Sequence, residues 1–410
     1  MTGDGNRQTL EVLRKSIPLT ICEVPSGTQV FDWTVPKEWN IRAAFINDPE
    51  GKRVVDLKTN NLQVVGYSIP VHQMIALAEL KKHIFTLPDR PEWIPYRTSY
   101  FKESWGFCMS HRQMQALVDG QYEILIDSTI SEGHLTYGEL FIKGATSEEV
   151  LISTHICHPS LCNDNLSGIA LATLLAKTLA TMSLKYSYRF LFVPATIGSI
   201  TWLARNEHIV PRIRHGLVLA GVGDRGTTTY KKTRRGDSEI DRAALHVLKH
   251  SGEDFNVVDF IPYGYDERQF CSPGFNLPVG CFMRSQPDRY PEYHTSADNL
   301  SFVQPAFLAN SFRKCLSLLS VLDRNAVYIN QNPKCEPQLG RRGIFRSYSD
   351  RTDGAHQEMA LLWVLNLSDG TYSLLDIAER SGLPFDAIWN AAAALLKHDL
   401  LKERLCHERI

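Results

Sequence analysis

The stretch STHICHPSLCNDNLSG, residues 153–168, gathers His155, His158 and Asp164 among asparagine and serine side chains directly after a hydrophobic run. Zinc-type divalent ions take three or four His, Asp, Glu or Cys side chains at about 2 Å, and catalytic sites leave one position for water. Two further residues of the same kind follow other apolar runs: Asp224 after GLVLAGV, and His294 in YPEYHTSADN. Each has an ordinary alternative. A lone histidine is commonly a hydrogen-bonded core residue, Asp164 could cap the helix that follows it, and Asp224 could start a turn. The recurrence of His158, Asp164, Asp224 and His294 at four separate strand ends is what points to a metal.

The apolar runs EVLISTHI, YRFLFVP, HGLVLAGV and LPVGCFM are short and almost wholly hydrophobic. They alternate with helical patterns over about 165–182, 198–207, 238–251 and 303–322. Such alternation predicts an α/β fold, a mostly parallel sheet flanked by helices, with ligands gathered at the carboxyl ends of the strands. Upstream, a short helix over 5–16 leads into proline-punctuated strands that continue to about residue 130. Beyond the polar linker NQNPKCEPQLGRRGIFRSYSDRTDG, the segment SLLDIAERSGLPFDAIWNAAAALLKHDLLKE has helix–turn–helix spacing, as in a winged-helix module.

The 410 residues are too many for one ordinary core, and 43 % hydrophobic content is enough to fill two or three. Forty-four basic and 45 acidic residues cancel to a net charge of -1, so no global field draws the chain to nucleic acid or an anionic membrane. Residues 355–410 hold five Lys or Arg against eight Asp or Glu, the wrong sign for a DNA duplex. A packing or oligomerisation role for that module, in a homo-oligomer, fits its charge better. The opening MTGDGNRQTLEVLRKS is polar, and no run of about 18 apolar residues occurs, so neither secretion nor membrane insertion is expected. Nine scattered cysteines without a Cys-x-x-Cys pair suit a reducing cytoplasm and argue against a thiolate cluster. Cys157 and Cys162 flank the histidine loop as small packing groups.

The order H…NDNLSG…TIG…GDRG…DERQF…YHTSADN resembles the di-zinc aminopeptidase fold (peptidase clan MH) of bacterial leucyl aminopeptidases and glutaminyl cyclases. More closely, VPSGTQVFDWTVPKEWNIR, GYSIPVH, IPYRTSY, CHPS, NDNLSG, TIGSI and DERQFCSPGFNLPVG resemble bacterial aminopeptidase-like proteins labelled as polysaccharide biosynthesis proteins. That resemblance spans about residues 3–405. It implies an aminopeptidase-like domain over 1–45 plus 131–340, an inserted β-rich domain over 46–130 and a winged-helix domain over 345–410. It also implies that Asp164 is the bridging carboxylate, that His158 and Asp224 complete one metal site, and that His294 belongs to the other. Asp298 then falls where it would orient the His294 ring from the second shell. His155 rivals His158 as the first histidine, but the relatives carry CHPS there and commonly an aromatic residue at position 155.

Where typical aminopeptidases of this fold have a Glu-Glu pair, general base and then ligand, this family resembles Glu-Thr and this chain has Ala195-Thr196. An alanine takes no proton from water, and losing positioned acid–base assistance typically costs about 10²- to 10⁴-fold in rate. The second site is short of a ligand, so one zinc ion per chain is expected. Glu267 in YDERQF is the first candidate for a substitute base and His155 the second; Glu267 could equally form a surface salt bridge with Arg268 or Arg284. The expected function is a zinc-dependent amide hydrolase acting on a small aminoacylated metabolite or sugar in a biosynthetic pathway. Metal-dependent acyl transfer or cyclisation on the same fold, and a non-catalytic binding or scaffold role, are the alternatives.

Overall fold

The computed structural model describes residues 2–100, 102–158, 161–344 and 354–404. Residues 345–353 and 405–410, at the two ends of the expected winged-helix domain, lie outside the described residues, as do Pro159 and Ser160 of CHPS and Cys406. The chain folds into two compact units: residues 1–238 with 254–313, and residues 239–253 with 314–410.

In the first unit a helix, α1 (Asp4–Arg14), precedes strands β1 (Thr20–Pro25), β2 (Glu38–Asn47), β3 (Arg53–Asp56), β4 (Val71–Ala76), β5 (Gln121–Ser131) and β6 (His134–Ile142). There follow β7 (Glu149–His155), α2 (Gly168–Leu179), β8 (Ser187–Val193), α3 (Ile197–Arg205), β9 (Ile213–Leu219), β10 (Thr228–Lys231), β11 (Phe255–Val258) and β12 (Val279–Met283). Eight of the strands form one sheet in the order β1-β6-β8-β7-β9-β12-β10-β11. Its middle, β8-β7-β9-β12, is parallel throughout. All seven residues of β7 and of β8 are buried, as strands covered on both faces must be, and their charged residues pair with each other, Arg189 Nε of β8 donating to Glu149 Oε2 of β7 (2.7 Å). The fully buried Trp202 on α3 joins Leu151, Leu191 and Val218 of these strands in one core cluster.

A second sheet, β3-β2-β5-β4, is wholly antiparallel. In β5, QYEILIDSTIS, burial alternates, and Tyr122, Ile124 and Ile126 point into a separate core with Ala44, Ile46 and Phe107. Each such side chain stabilises the sheet by about 1.5–3 kcal/mol. The strands from Glu38 to Ser131 that pair in this sheet therefore have their own core, while β1 joins the eight-stranded sheet. Strands β10 and β11, four residues each, have no counterpart in the sequence pattern.

In the second unit, Val327–Asn330 pairs with Asp369–Ser373 and Leu401–Glu403 in a three-stranded antiparallel sheet. The helices Leu374–Ser381 and Phe385–Lys397 are joined by a tight turn. Ser373 opens the first with a reciprocal capping box to Asp376, and Gly382 (φ 71°) closes it in the left-handed region that favours glycine. His246, on the helix Glu239–Lys249, accepts the Phe385 backbone N–H at Nε2 (3.0 Å), which satisfies a donor at the start of the second helix. Among the described residues no helix is long and apolar enough to cross a membrane.

Candidate metal centre

His155 is the last residue of β7, so it leaves the sheet at the carboxyl end of a rigid, buried strand. The chain then loops back through residues 161–168 and is tied down by its asparagines. Asn163 Nδ2 donates to Asp224 Oδ2 (2.7 Å), and its Oδ1 accepts from the Gly223 N–H (2.9 Å). Asn165 Nδ2 donates to Thr154 Oγ1 (2.8 Å) and to the Leu219 carbonyl (3.2 Å). Gly168 lets α2 start against β9, since a Cβ there would lie 2.4 Å from Asn165 Oδ1 and 2.6 Å from the Leu219 oxygen. The motif NDNLSG thus ties the ends of two adjacent parallel strands together around Asp164.

Asp164 is almost wholly buried and stands at the centre of three histidines. His155 Nε2 lies 2.9 Å from Oδ1, while His158 Nε2 and His294 Nε2 lie 3.5 and 3.0 Å from Oδ2. Oδ2 has no hydrogen-bond partner of acceptable geometry among the described residues. The ligand atoms of His158, Asp164 and His294 all lie within 4.8 Å of one another. A buried carboxylate oxygen without a proper donor, faced by two imidazole nitrogens, fits a divalent cation of the zinc type. Burial pushes the Asp164 carboxyl up, but the adjacent His158, His155 and His294 outweigh it and hold the group well below the usual carboxylate range. Burial lowers the His158 imidazole, favouring the neutral form a metal requires. His294, the most exposed of the three, has φ 54°, a left-handed conformation uncommon for a non-glycine residue.

Other residues singled out in the sequence take different places. Asp224 does not join the histidines: Ser285 Oγ donates to its Oδ1 (2.7 Å) and Asn163 Nδ2 to its Oδ2, so it braces the loop that carries Asp164. Asp298 accepts the backbone N–H groups of Asn163 (2.6 Å) and Asp164 (2.9 Å), supporting the carboxylate's backbone in place of the His294 ring. Glu267 is fully buried and pairs with Lys231 (2.8 Å), with neither Arg268 nor Arg284. It is absent from the cavity wall, because its short helix turns it inward to a cation that the sequence pattern does not mark. His155 Nε2 lies 2.9 Å from Asp164 Oδ1, a carboxylate oxygen that can only accept, which assigns the ring proton to Nε2, and Nδ1 lies 3.2 Å from Asn165 Nδ2. Ala195 and Thr196 line the cavity beside these histidines. The peptide bonds Asp164–Asn165 and Ala195–Thr196 are cis.

The histidines open onto a cavity of about 460 Å³. Much of its far wall comes from the segment upstream of β5, through Tyr96, Arg97, Thr98 and Tyr100. This segment is hydrogen-bonded to the His294 loop, Tyr96 N–H to the His294 carbonyl (2.7 Å) and Ser296 N–H to the Ile94 carbonyl (2.8 Å). The Tyr96 ring lies 5.1 Å from that of His158 and 5.0 Å from that of His294. Sequence reasoning missed these residues. IPYRTSYF carries no ligand-type residue, and its aromatic content is the one signal that could have marked it.

The family model described as a domain of unknown function, DUF4910, matches residues 1–325, and a winged helix-turn-helix model matches 326–403. A Clostridium acetobutylicum protein provisionally named for polysaccharide biosynthesis with an aminopeptidase-like domain is 52 % identical over 98 % of this chain and 92 % of its own. A crystal structure from the same organism, provisionally named a peptidase, superposes with a TM-score of 0.94 at 51 % identity, covering 98 % of this chain and 92 % of its own. At 13 % identity the zinc aminopeptidase BSAP of Bacillus subtilis gives a TM-score of 0.57, covering 78 % of this chain and 89 % of its own. A peptidase M28 precursor from Shewanella amazonensis gives 0.55 at 14 % identity, over 78 % and 88 %. The last two show the fold, an aminopeptidase-like α/β architecture.

Proposed function

We propose, since the chain belongs to the DUF4910 family and has an aminopeptidase-like fold with a C-terminal winged helix, that it is a zinc-dependent amide hydrolase. Its substrate on this reading is a small aminoacylated metabolite or sugar of a biosynthetic pathway, consistent with the name of its Clostridium relative. The observation that carries the proposal is the convergence of His158, Asp164 and His294 on one point at the carboxyl ends of parallel strands. Zinc held there supplies a Lewis acid for an amide carbonyl. His158, Asp164 and His294 are the side chains that would hold it. The Nε2–H of His155 fixes the other carboxylate oxygen, and Asp298 fixes the backbone beneath it. Tyr96 and Tyr293 line the opening and exclude bulk water from the reacting group. Among the described lining residues Asp164 is the one acid, and it is engaged by histidines, so no free carboxylate stands ready to deprotonate water. That absence also favours a second reading, metal-dependent acyl transfer or cyclisation, in which the attacking group is an amine of the substrate.

The test is a panel of aminoacyl amides and amino sugars acylated on nitrogen, incubated with zinc-loaded protein and His158→Ala and analysed by mass. Release of free acid and amine by the first alone is expected. Transferred or cyclic products would move the assignment to the second reading, and identical behaviour of the two proteins would overturn both.

The winged helix is read as a packing or oligomerisation element and not as a DNA reader. Its second helix carries Asp386 and Lys397 as its charged residues, and in the same unit Arg242 is held by Asp376 and Glu379 while Arg324 covers the Trp389 ring at 4.4 Å. Full-length protein is expected to give no salt-sensitive gel shift of duplex DNA at micromolar concentration; a shift that weakens as salt is raised would refute this. The cysteines are scattered along the chain with no Cys-x-x-Cys pair, which supports a place in a reducing cytoplasm.

A further inference from the structure

The cavity beside the three histidines has an unusual charge balance. Its wall carries two arginines, Arg97 and Arg268, while its one acid, Asp164, faces the histidines. Neither arginine has an ion pair among the described residues. Of the acids next to Arg268 in sequence, Asp266 accepts from Ser199 Oγ through one oxygen (2.8 Å) and Glu267 from Lys231 through one (2.8 Å), and neither is ion-paired with Arg268. Arg268 is half-buried, and its Nε is fully buried with no hydrogen-bond partner. A guanidinium with a desolvated, unsatisfied N–H is unstable unless an acceptor completes it, and its planar fork matches an oxyanion. Arg97 is exposed, on the Tyr96 segment, where it can meet the same group from the rim. A substrate ammonium, by contrast, finds a methyl group and a hydroxyl at Ala195 and Thr196.

We propose that the substrate of this cavity carries an oxyanion, a carboxylate or a phosphate, besides its amide, and that Arg268, assisted by Arg97, binds that oxyanion. The proposal rests on the reading of the cavity as the substrate site, and it adds to the amide an acidic group as the feature that sets specificity.

The test is binding, measured by calorimetry or ligand-observed NMR on the full-length chain, both metal-free and zinc-loaded. The metal-free arm separates the arginines from direct coordination. N-acetylglycine is compared with N-acetylglycinamide, and N-acetyl-O-phosphoethanolamine with N-acetylethanolamine; glycinamide serves as the ammonium probe. In metal-free protein at least one anionic member is expected to bind about tenfold tighter than its neutral partner, the scale of a charge-assisted hydrogen-bond pair. The pair that shows the preference identifies the oxyanion. Arg268→Gln should erase the preference and Arg97→Gln should reduce it, with melting curves confirming that both variants are folded. Arg268→Lys, which keeps the charge but not the fork, should fall between wild type and Arg268→Gln. Equal binding within both pairs, glycinamide as the tightest ligand, or an undiminished preference in folded Arg268→Gln would overturn the proposal. Turnover is not read, so a protein that hydrolyses no amide would fail the preceding reading while leaving this result intact.

Discussion

Protein purified without chelator is expected to hold about one zinc per chain, and His158→Ala, Asp164→Ala and His294→Ala are each expected to lose it, with affinity falling by more than about 100-fold. The size follows from geometry. The donor set contains three side chains whose ligand atoms lie within 4.8 Å of one another, so removing one leaves two protein donors. Asp224→Asn is the informative contrast. Asp224 bonds to Asn163 and Ser285 and so acts on the centre through the loop that holds Asp164. Its replacement should cost about 10- to 100-fold, the range of an outer partner. Elemental analysis after gel filtration, with competitive chelator titration for the affinities, measures all four variants. Two tightly held metals in the wild type, or loss of metal in Asp224→Asn as complete as in His158→Ala, would show that the donor set is wrong.

Ala195→Glu is expected to abolish binding of acidic amides without creating an aminopeptidase. Position 195 faces the same cavity as Asp164 and Arg268. A carboxylate placed there repels the Asp164 carboxylate and competes with a substrate oxyanion for the guanidinium. Both effects oppose the occupancy proposed for this site. A site that had merely decayed from an ordinary peptidase would respond in the opposite way. Restoring its general base would raise the rate on simple amino-acid amides by about a hundredfold or more. Initial rates of wild type and Ala195→Glu on amino-acid amides, with N-acetylglycine binding and zinc content measured on the same preparations, separate the two. A hundredfold gain with metal content unchanged would reject the view that this cavity has been turned to a different substrate. Glu267→Gln belongs in the same series as a check on stability, because it breaks a fully buried ion pair with Lys231 away from the cavity wall.

Much of the scaffold was legible before any coordinates. Parallel strands buried on both faces are predominantly apolar, so the hydrophobic stretches of EVLISTH and SYRFLFV announce themselves, and the apolar and amphipathic runs that alternate with such strands mark the helices Gly168–Leu179 and Pro305–Arg324. The preference of such sheets for ligands at their carboxyl ends picked out His158, Asp164, Asp224 and His294 alike, without separating Asp224, which bonds to Asn163 and Ser285, from the other three. The partners of the carboxylates were not legible. Asp164, Asp224, Asp298 and Glu267 look alike as sequence, yet one faces three histidines, two brace its loop and one neutralises a buried lysine. What a carboxylate does is set by the donors about 3 Å away, and here those donors lie far off in the chain: Asp298 meets the Asp164 N–H across 134 residues, and Glu267 meets Lys231 across 36. Local periodicity cannot encode such pairings. Nor could it show that Tyr96 and Arg97, in a segment about sixty residues upstream of the histidines, form the opposite wall. That is decided by the backbone bonds between residues 94–96 and 294–296, two stretches about two hundred residues apart in the chain.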